Sequence, residues 1–237
     1  MFERLRSIFS AGRGSAADKG VVTAAQLAQW AEGKGWALAF QGEPAQYQLS
    51  GSVAGQPWRM ESGAPTRDYI LGTELRARTD AHVAHDVAVM VISRPLKEEL
   101  EGRVYGAITD TLQTAVDDNL PQEMRWLSIY EELRWPELPV SFSRLYAVVG
   151  DRADHAQRWV NAAVVSHLLL EREQAAQAQA PLLMMLADGK VSLRLQTVAR
   201  HLPDLQYAAA LFTTAAAVAA LNLPRPGEQP PDTQPPA

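Results

Sequence analysis

The sequence predicts an α+β fold: a mainly antiparallel sheet with helices packed against it, and enough chain for two similar-sized modules. Three observations predict it. Stretches of strict period-two alternation are separated by glycine turns, as in half-buried antiparallel strands. Stretches of helical period carry cap signals at their ends. Asp188-Gly189 joins two short apolar runs, Leu182 to Leu186 and Val191 to Leu195, and is the strongest short hairpin signal in the chain.

The chain opens with Phe2, Leu5, Ile8 and Phe9 on one helical face, broken by Glu3, Arg4 and Arg6. A basic amphipathic start can lie on a membrane surface, but one short helix without a lipidation signal anchors weakly. Residues 10–20 are small, polar and glycine-rich, the composition of a linker. Thr23 and Gln26 then form a capping box, and Val22 and Leu27 a hydrophobic staple, opening a helix with Leu27, Trp30 and Ala31 as its buried stripe. Gly33 or Gly35 ends it, and Trp36 to Phe40 has strand character.

Tyr47, Leu49, Gly51 and Val53 alternate with Gln48, Ser50 and Ser52. After the Ala54-Gly55 turn, Trp58 and Met60 point one way and Arg59 and Glu61 the other. This reads as a hairpin with one wet face. Between Asp68 and Asp80 the pattern recurs, with Tyr69, Leu71, Thr73, Leu75 and Ala77 inward and Glu74, Arg76 and Arg78 outward. Asp86 to Ser93 is continuously apolar, which suits a central strand covered on both faces. Pro95 stops it and opens a short charged helix, Leu96 to Glu101.

Residues 102–119 have a weak helical pattern at Ile108, Leu112, Ala115 and Val116. A better helix is expected over Leu120 to Arg134, ended by Pro136 and Pro139. The core of the chain is then read as strand (Ser141 to Val149), long helix (Asp151 to Glu173), hairpin and long helix. The last is opened by Pro203 and is apolar almost all round to Leu221. The expected organisation is an amphipathic start and linker (1–20), an N-terminal module (21–103), a helical connection (104–139), a strand-helix-hairpin-helix module (140–223) and a disordered proline-rich tail (224–237).

Composition excludes several function classes. The 237 residues are 47% hydrophobic and 21% charged, with a net charge of −5 spread evenly, about −3 before Pro121 and about −2 after it. Nucleic acid is not an expected partner, because phosphate contacts need clustered Lys and Arg. There is no cysteine, so disulfides, thiolate catalysis and cysteine-ligated metals are excluded. The start lacks the uninterrupted apolar core of a signal peptide, and the run Ala208 to Leu221 is short of the roughly 18 residues that span a bilayer. Cytoplasmic localisation is expected.

QWAEGKGW before a first strand, GSVAGQPWRMESG as a hairpin, FSRLYAVVGDRADHAQRWV and LMMLADGKVSLRLQ follow one another before a closing helix. This order resembles an uncharacterised bacterial family built on a domain of unknown function, over roughly Ala25 to Leu223. The resemblance implies an α+β fold and brings no activity, ligand or catalytic residue.

Candidate chemistry is sparse. His82, His85 and Asp86 could share one helical face, but no further ligand is spaced to complete a metal site, and an exposed connection accounts for them. Asp151 and Asp154, next to His155, suit a helix N-terminus. His167 reads as a buried histidine bonded to a carbonyl. Ser166-His167 are sequence neighbours, which does not bring a hydroxyl onto an imidazole. No G-x-S-x-G occurs, and AGRGSAADKG matches neither a P-loop nor a dinucleotide fingerprint. Lys97 to Glu101 is a solvated helix face, and the six tryptophans mostly fall at inward positions, so they read as core and not as a stacking platform.

No catalytic, cofactor-binding or metal residue is therefore assigned, and no cofactor is expected. The expected function is a non-catalytic binding or scaffolding protein, working through the wet face of the N-terminal sheet or the C-terminal helix, with a protein partner or a homodimer. The alternative is an enzyme or small-molecule-binding protein with a site of scattered residues.

Overall fold

The computed structural model describes residues 20–42, 46–111, 120–170 and 180–227, and only the backbone of 106–111. The amphipathic start, most of the linker, the end of the weak helical pattern and all but the first four residues of the tail lie outside these. The described elements are α1 (Ala24–Gly33), β1 (Ala37–Phe40), β2 (Tyr47–Val53), β3 (Gln56–Gly63), β4 (Thr73–Asp80), β5 (Val89–Ser93), α2 (Arg94–Thr111), α3 (Gln122–Ile129), β6 (Glu132–Leu133), α4 (Val140–Leu145), β7 (Tyr146–Gly150), α5 (Ala153–Trp159), α6 (Ala162–Leu169), β8 (Leu182–Ala187), β9 (Lys190–Thr197) and α7 (Leu202–Asn222). The nine described strands form one antiparallel sheet in the order β1-β2-β3-β4-β9-β8-β5-β7-β6, with the helices packed against it. The fold is α+β, as the alternation and cap signals predict. Segments 21–103 and 140–223 both contribute to this continuous sheet, and β5 lies between β8 and β7.

Local chemistry sets the turns. Ala54 and Gly55 have φ of 50° and 78°, and Asp188 and Gly189 have 51° and 73°. Two successive left-handed residues make the type I′ turn that matches strand twist, so Val53 pairs with Gln56 and Ala187 with Lys190. The capping box of α1 is present: the Gln26 amide donates to Thr23 Oγ1 at 3.3 Å, and the Thr23 amide donates to Gln26 Oε1 at 2.9 Å.

Strict alternation gives the sheet two faces. The first carries Leu49, Trp58, Met60, Leu75, Ala77, Leu193, Met184, Val91 and Val148 into the larger core, beneath α1 and α4–α7. Trp58 is 2% exposed and packs edge to face on Trp36 and Phe212, at ring-centroid distances of 5.0 and 6.1 Å. Gly51 is glycine because a Cβ there would stand 2.8 Å from Trp36 and 2.9 Å from Trp58. On the second face Met90, Ile92, Ala147, Val149, Leu183 and Met185 form a smaller core with residues of α2 and α3. This double cover explains the unbroken apolar run of β5.

Several elements differ from their sequence reading. Val140–Leu145 is a helical turn, and the strand starts only at Tyr146. Pro139 precedes a one-turn helix there, the position that tolerates proline. The expected helix over Asp151 to Glu173 breaks at Val160-Asn161. The Asn161 side chain accepts from the Ala163 and Val164 amides at 3.0 and 3.2 Å and so starts α6 afresh. Charged residues 96–101 are the beginning of the much longer α2. The helix expected to reach Arg134 stops at Ile129, and Glu132-Leu133 pair with β7. The strand expected from Asp86 begins at Val89. Leu71, expected inward, is 74% exposed, while Glu74, expected outward, is fully buried.

α7 lies across β2, β4 and β9 and packs against α5 and α6, burying Leu205, Ala208, Leu211, Phe212, Ala215 and Ala219. The Trp159 Nε1 donates to the Ala215 carbonyl at 3.0 Å. By length and composition α7 could cross a membrane, with mean hydropathy 1.3, but half of that apolar window is buried inside the fold.

Glu132 is the ionic tie between α2 and the β6 segment. It accepts from Arg94 at 2.8 Å and from Arg134 at 2.9 Å, with Lys97 at 3.5 Å. Arg94 Nε also donates to the Ser143 carbonyl. Burial opposes the charge of Glu132, but the hydrogen bonds from Arg94 and Arg134 outweigh it and hold the carboxyl down at about 2.

Two predictions follow from this packing. Trp58→Ala removes a buried indole from the larger core and should cost roughly 3–5 kcal/mol in denaturant unfolding, and an unchanged midpoint would invert the assigned face. Glu132 has a depressed carboxyl, so its contribution is complete above the ordinary 4.5 and is lost as pH falls towards about 2. Glu132→Gln should therefore be less stable than the parent at neutral pH. The gap between the two should close between pH 4.5 and 2.

Candidate functional site

The residues weighed from sequence do not assemble into one site. His82 is exposed with φ of 50°, and its amide donates to Asp80 Oδ1 at 2.8 Å. His85 lies 3.9 Å from where a Cβ on Gly189 would stand, beside the β8–β9 turn, and Asp86 is exposed. Among the described residues no three His, Cys, Asp or Glu side chains are grouped to hold a metal. Asp154 accepts from Arg152 at 2.9 Å, and that hydrogen bond lowers its carboxyl. His155, not His167, is the buried histidine: it is 3% exposed, and among the described residues its Nδ1 has no hydrogen-bond partner.

Ser166 and His167 line different clefts beside α6. Ser166 borders a groove of about 490 Å³ with Trp135, Leu138 and Val165. His167 borders one of about 530 Å³ with Trp30, Lys34, Trp36, Tyr207 and Thr213. The sequence reading of His167 as a buried, carbonyl-bonded histidine is corrected: it is half-buried at a cleft wall. Lys97 and Glu101 pair at 2.7 Å on α2.

The concentration of charge lies elsewhere, on the second face of the sheet. Over β8, β5 and β7 that face is apolar and covered. Over β3, β4 and β9 it turns polar, and among the described residues the smaller core does not extend onto these strands. Here Arg59, Glu61, Thr66, Arg67, Arg76, Arg78, Ser192 and Arg194 line a groove of about 360 Å³. The strands supply their members by register alone. Arg59 stands directly opposite Arg78, and Arg78 opposite Ser192. One row along, Glu61 faces Arg76, and Arg76 faces Arg194. Two like-charged pairs therefore stand directly across neighbouring strands, an arrangement that destabilises a sheet.

Two buried carboxylates anchor part of this cluster. Glu74 has no exposed side-chain surface. It accepts from the Thr66 amide at 2.7 Å, from Thr66 Oγ1 at 2.9 Å and from Arg194 Nη1, with Arg76 at 3.6 Å. Glu123 reaches in from α3 and accepts from Arg67 Nε at 2.6 Å and from the Tyr69 hydroxyl at 2.7 Å. Burial opposes its charge, but the bonds from Arg67 and Tyr69 leave its carboxyl below the ordinary range. The same bond raises the Arg67 guanidinium, and burial followed by the charge of Glu123 raises the Tyr69 hydroxyl. Arg67 and Arg194 are thus fixed as the walls of the groove.

The other three arginines are less engaged. Arg76 is shared between Glu61, at 3.4 Å, and Glu74, and Arg59 approaches Glu61 at 3.4 Å. Arg78 is exposed, and among the described residues no ion pair holds it. Alternation showed Arg59, Arg76 and Arg78 on the wet face. Arg194 and Arg67 were not legible, because one needs the β4–β9 register and the other the placement of α3.

Neither a protein-family model nor a curated protein matches the chain. Among solved structures, the chain is similar to the mycobacterial trehalose monomycolate transport factor A, TtfA, with 10% identity and a TM-score of 0.45, covering 84% of this chain and 94% of that chain. At that identity and score the likeness carries no argument about role.

Proposed function

We propose that this protein is a non-catalytic binding module whose open sheet face takes an anionic group on its partner or ligand. The observation that carries the reading is the directly opposed Arg59 and Arg78, beside a second opposed pair, Arg76 and Arg194, that already shares the buried Glu74. Like charges at that separation cost stability, and an anion between them converts the repulsion into charge-assisted hydrogen bonds. Two buried carboxylates hold Arg67 and Arg194 as fixed walls, while the side chains of Arg59 and Arg78 are carried by the sheet backbone and become ordered on binding. The overall charge of −5 favours a local recognition patch over a surface that coats itself with polyanion.

A second reading, a small-molecule site, rests on the cleft of about 530 Å³ between α1, α6 and α7, where Trp30, Trp36 and Tyr207 stand beside Lys34 and His167. Quenching of tryptophan fluorescence by a ligand, lost in His167→Ala and kept in Arg78→Thr, would favour that cleft over the sheet face.

The sheet-face reading makes one combined prediction. Arg78→Thr removes one member of a like-charged pair and places a strand-forming residue on the sheet. It should raise stability by about 0.2–1 kcal/mol in denaturant unfolding. The same variant should weaken binding of small anions such as pyrophosphate and citrate in calorimetric titration, and the parent's affinity should fall as salt rises from low to physiological concentration. A variant that loses stability and keeps full anion affinity would remove the basis of the reading.

A further inference from the structure

We infer that the group recognised on the open sheet face is a phosphoryl dianion, borne by inorganic phosphate or by the end of an organic phosphomonoester. The inference rests on the proposed anion-binding role and narrows its ligand.

The charge balance comes first. Five arginines border the groove or its walls, and three carboxylates, Glu61, Glu74 and Glu123, engage them, leaving an excess of two positive charges. Arg67 and Arg194 are matched by buried carboxylates, so the excess resides on Arg59, Arg76 and Arg78, which share what Glu61 and Glu74 leave over. A dianion neutralises that excess, whereas a single carboxylate leaves half of it.

The donor geometry points the same way. Arg59, Arg78 and Ser192 stand in one register row across three neighbouring strands. Adjacent strands are about 4.8 Å apart, so the row presents donors over roughly 10 Å. A carboxylate offers two oxygens in one plane, a shape matched by a single bidentate guanidinium. A tetrahedral phosphoryl group offers three non-ester oxygens, which suits donors arriving from two opposed guanidiniums and a hydroxyl, with its ester oxygen directed out of the groove.

The lining also separates ligand titration from protein titration. The groups facing Arg59 and Arg78 are Glu61 on β3, Glu74, Arg76 and Asp80 on β4, and Lys190 and Arg194 on β9, with Arg67 and Glu123 at the far wall. No histidine stands among them. A phosphomonoester gains its second charge near pH 6, within the range where histidine is the side chain that ordinarily titrates.

The test is calorimetric titration of the full chain with four probes at low salt: phenyl phosphate, inorganic phosphate, methyl phenyl phosphate and citrate. Phenyl phosphate should bind about tenfold more tightly at pH 7.5 than at pH 5, following its dianion. Methyl phenyl phosphate, which stays a monoanion, should bind more weakly and without that pH dependence. Inorganic phosphate binding as tightly as phenyl phosphate would mark free phosphate as the source, and weaker binding would mark an organic monoester. Arg59→Ser with Arg78→Thr should abolish the pH-dependent component while the variant keeps its cooperative unfolding. If citrate and the diester bind as well as phenyl phosphate and no probe responds to pH, the phosphoryl inference is overturned and the anion-binding reading stands. If no probe binds the parent, or the double variant binds as the parent does, both are overturned.

Discussion

The pairing of β4 with β9 is the constraint on which the molecule depends. Eight residues of each strand meet in register, Thr73 with Thr197 through to Asp80 with Lys190. Because side chains alternate, a slip of one residue would turn Leu75 and Ala77 to solvent and bury Arg76 and Arg78. The same register places Arg76 opposite Arg194 and Arg78 opposite Ser192. A single set of backbone hydrogen bonds thus fixes both the larger core and the charged groove.

The second face of the sheet shows how one surface is divided between packing and recognition. Moving across it from β9 to β8, Arg194 is followed by Leu183 and Ser192 by Met185. On the apolar side α2 and α3 cover the strands, and on the polar side the face stays open. Glu123 joins the two halves, since it sits on the covering helix α3 and holds Arg67 at the groove. The helix that completes the smaller core is therefore also the support of one wall of the groove.

What was legible in the sequence follows from the range of the interactions involved. The capping box at Thr23, the Ala54-Gly55 and Asp188-Gly189 turns and the parity of Arg59, Glu61, Arg76 and Arg78 are set by neighbours a few residues away, and the structure has them all. The break of the expected long helix at Asn161 was missed because the apolar stripe continues across it, and only the side-chain bonds of Asn161 mark the new start. Glu74 was placed outward by the alternation of its strand, and it does lie on the face opposite Leu75, but buried there. Its burial is compensated by Thr66 and Arg194, the second of which lies 120 positions away in the chain. Of the groove, the strand residues were visible and their convergence was not, since convergence depends on partners distant in sequence.

The position of β5 has a consequence for synthesis. It pairs with β7 on one side and β8 on the other, while β4 waits for β9. The hairpin of β8 and β9 is thus inserted between strands made about a hundred residues earlier. At ordinary translation speeds of roughly 5–20 residues per second, that gap lasts on the order of 5–20 s. Throughout it, the flank of β4 and at least one flank of β5 present unpaired amides and carbonyls beside apolar side chains. Emergence of the β8–β9 hairpin, which covers both flanks at once, is therefore the event that closes the sheet.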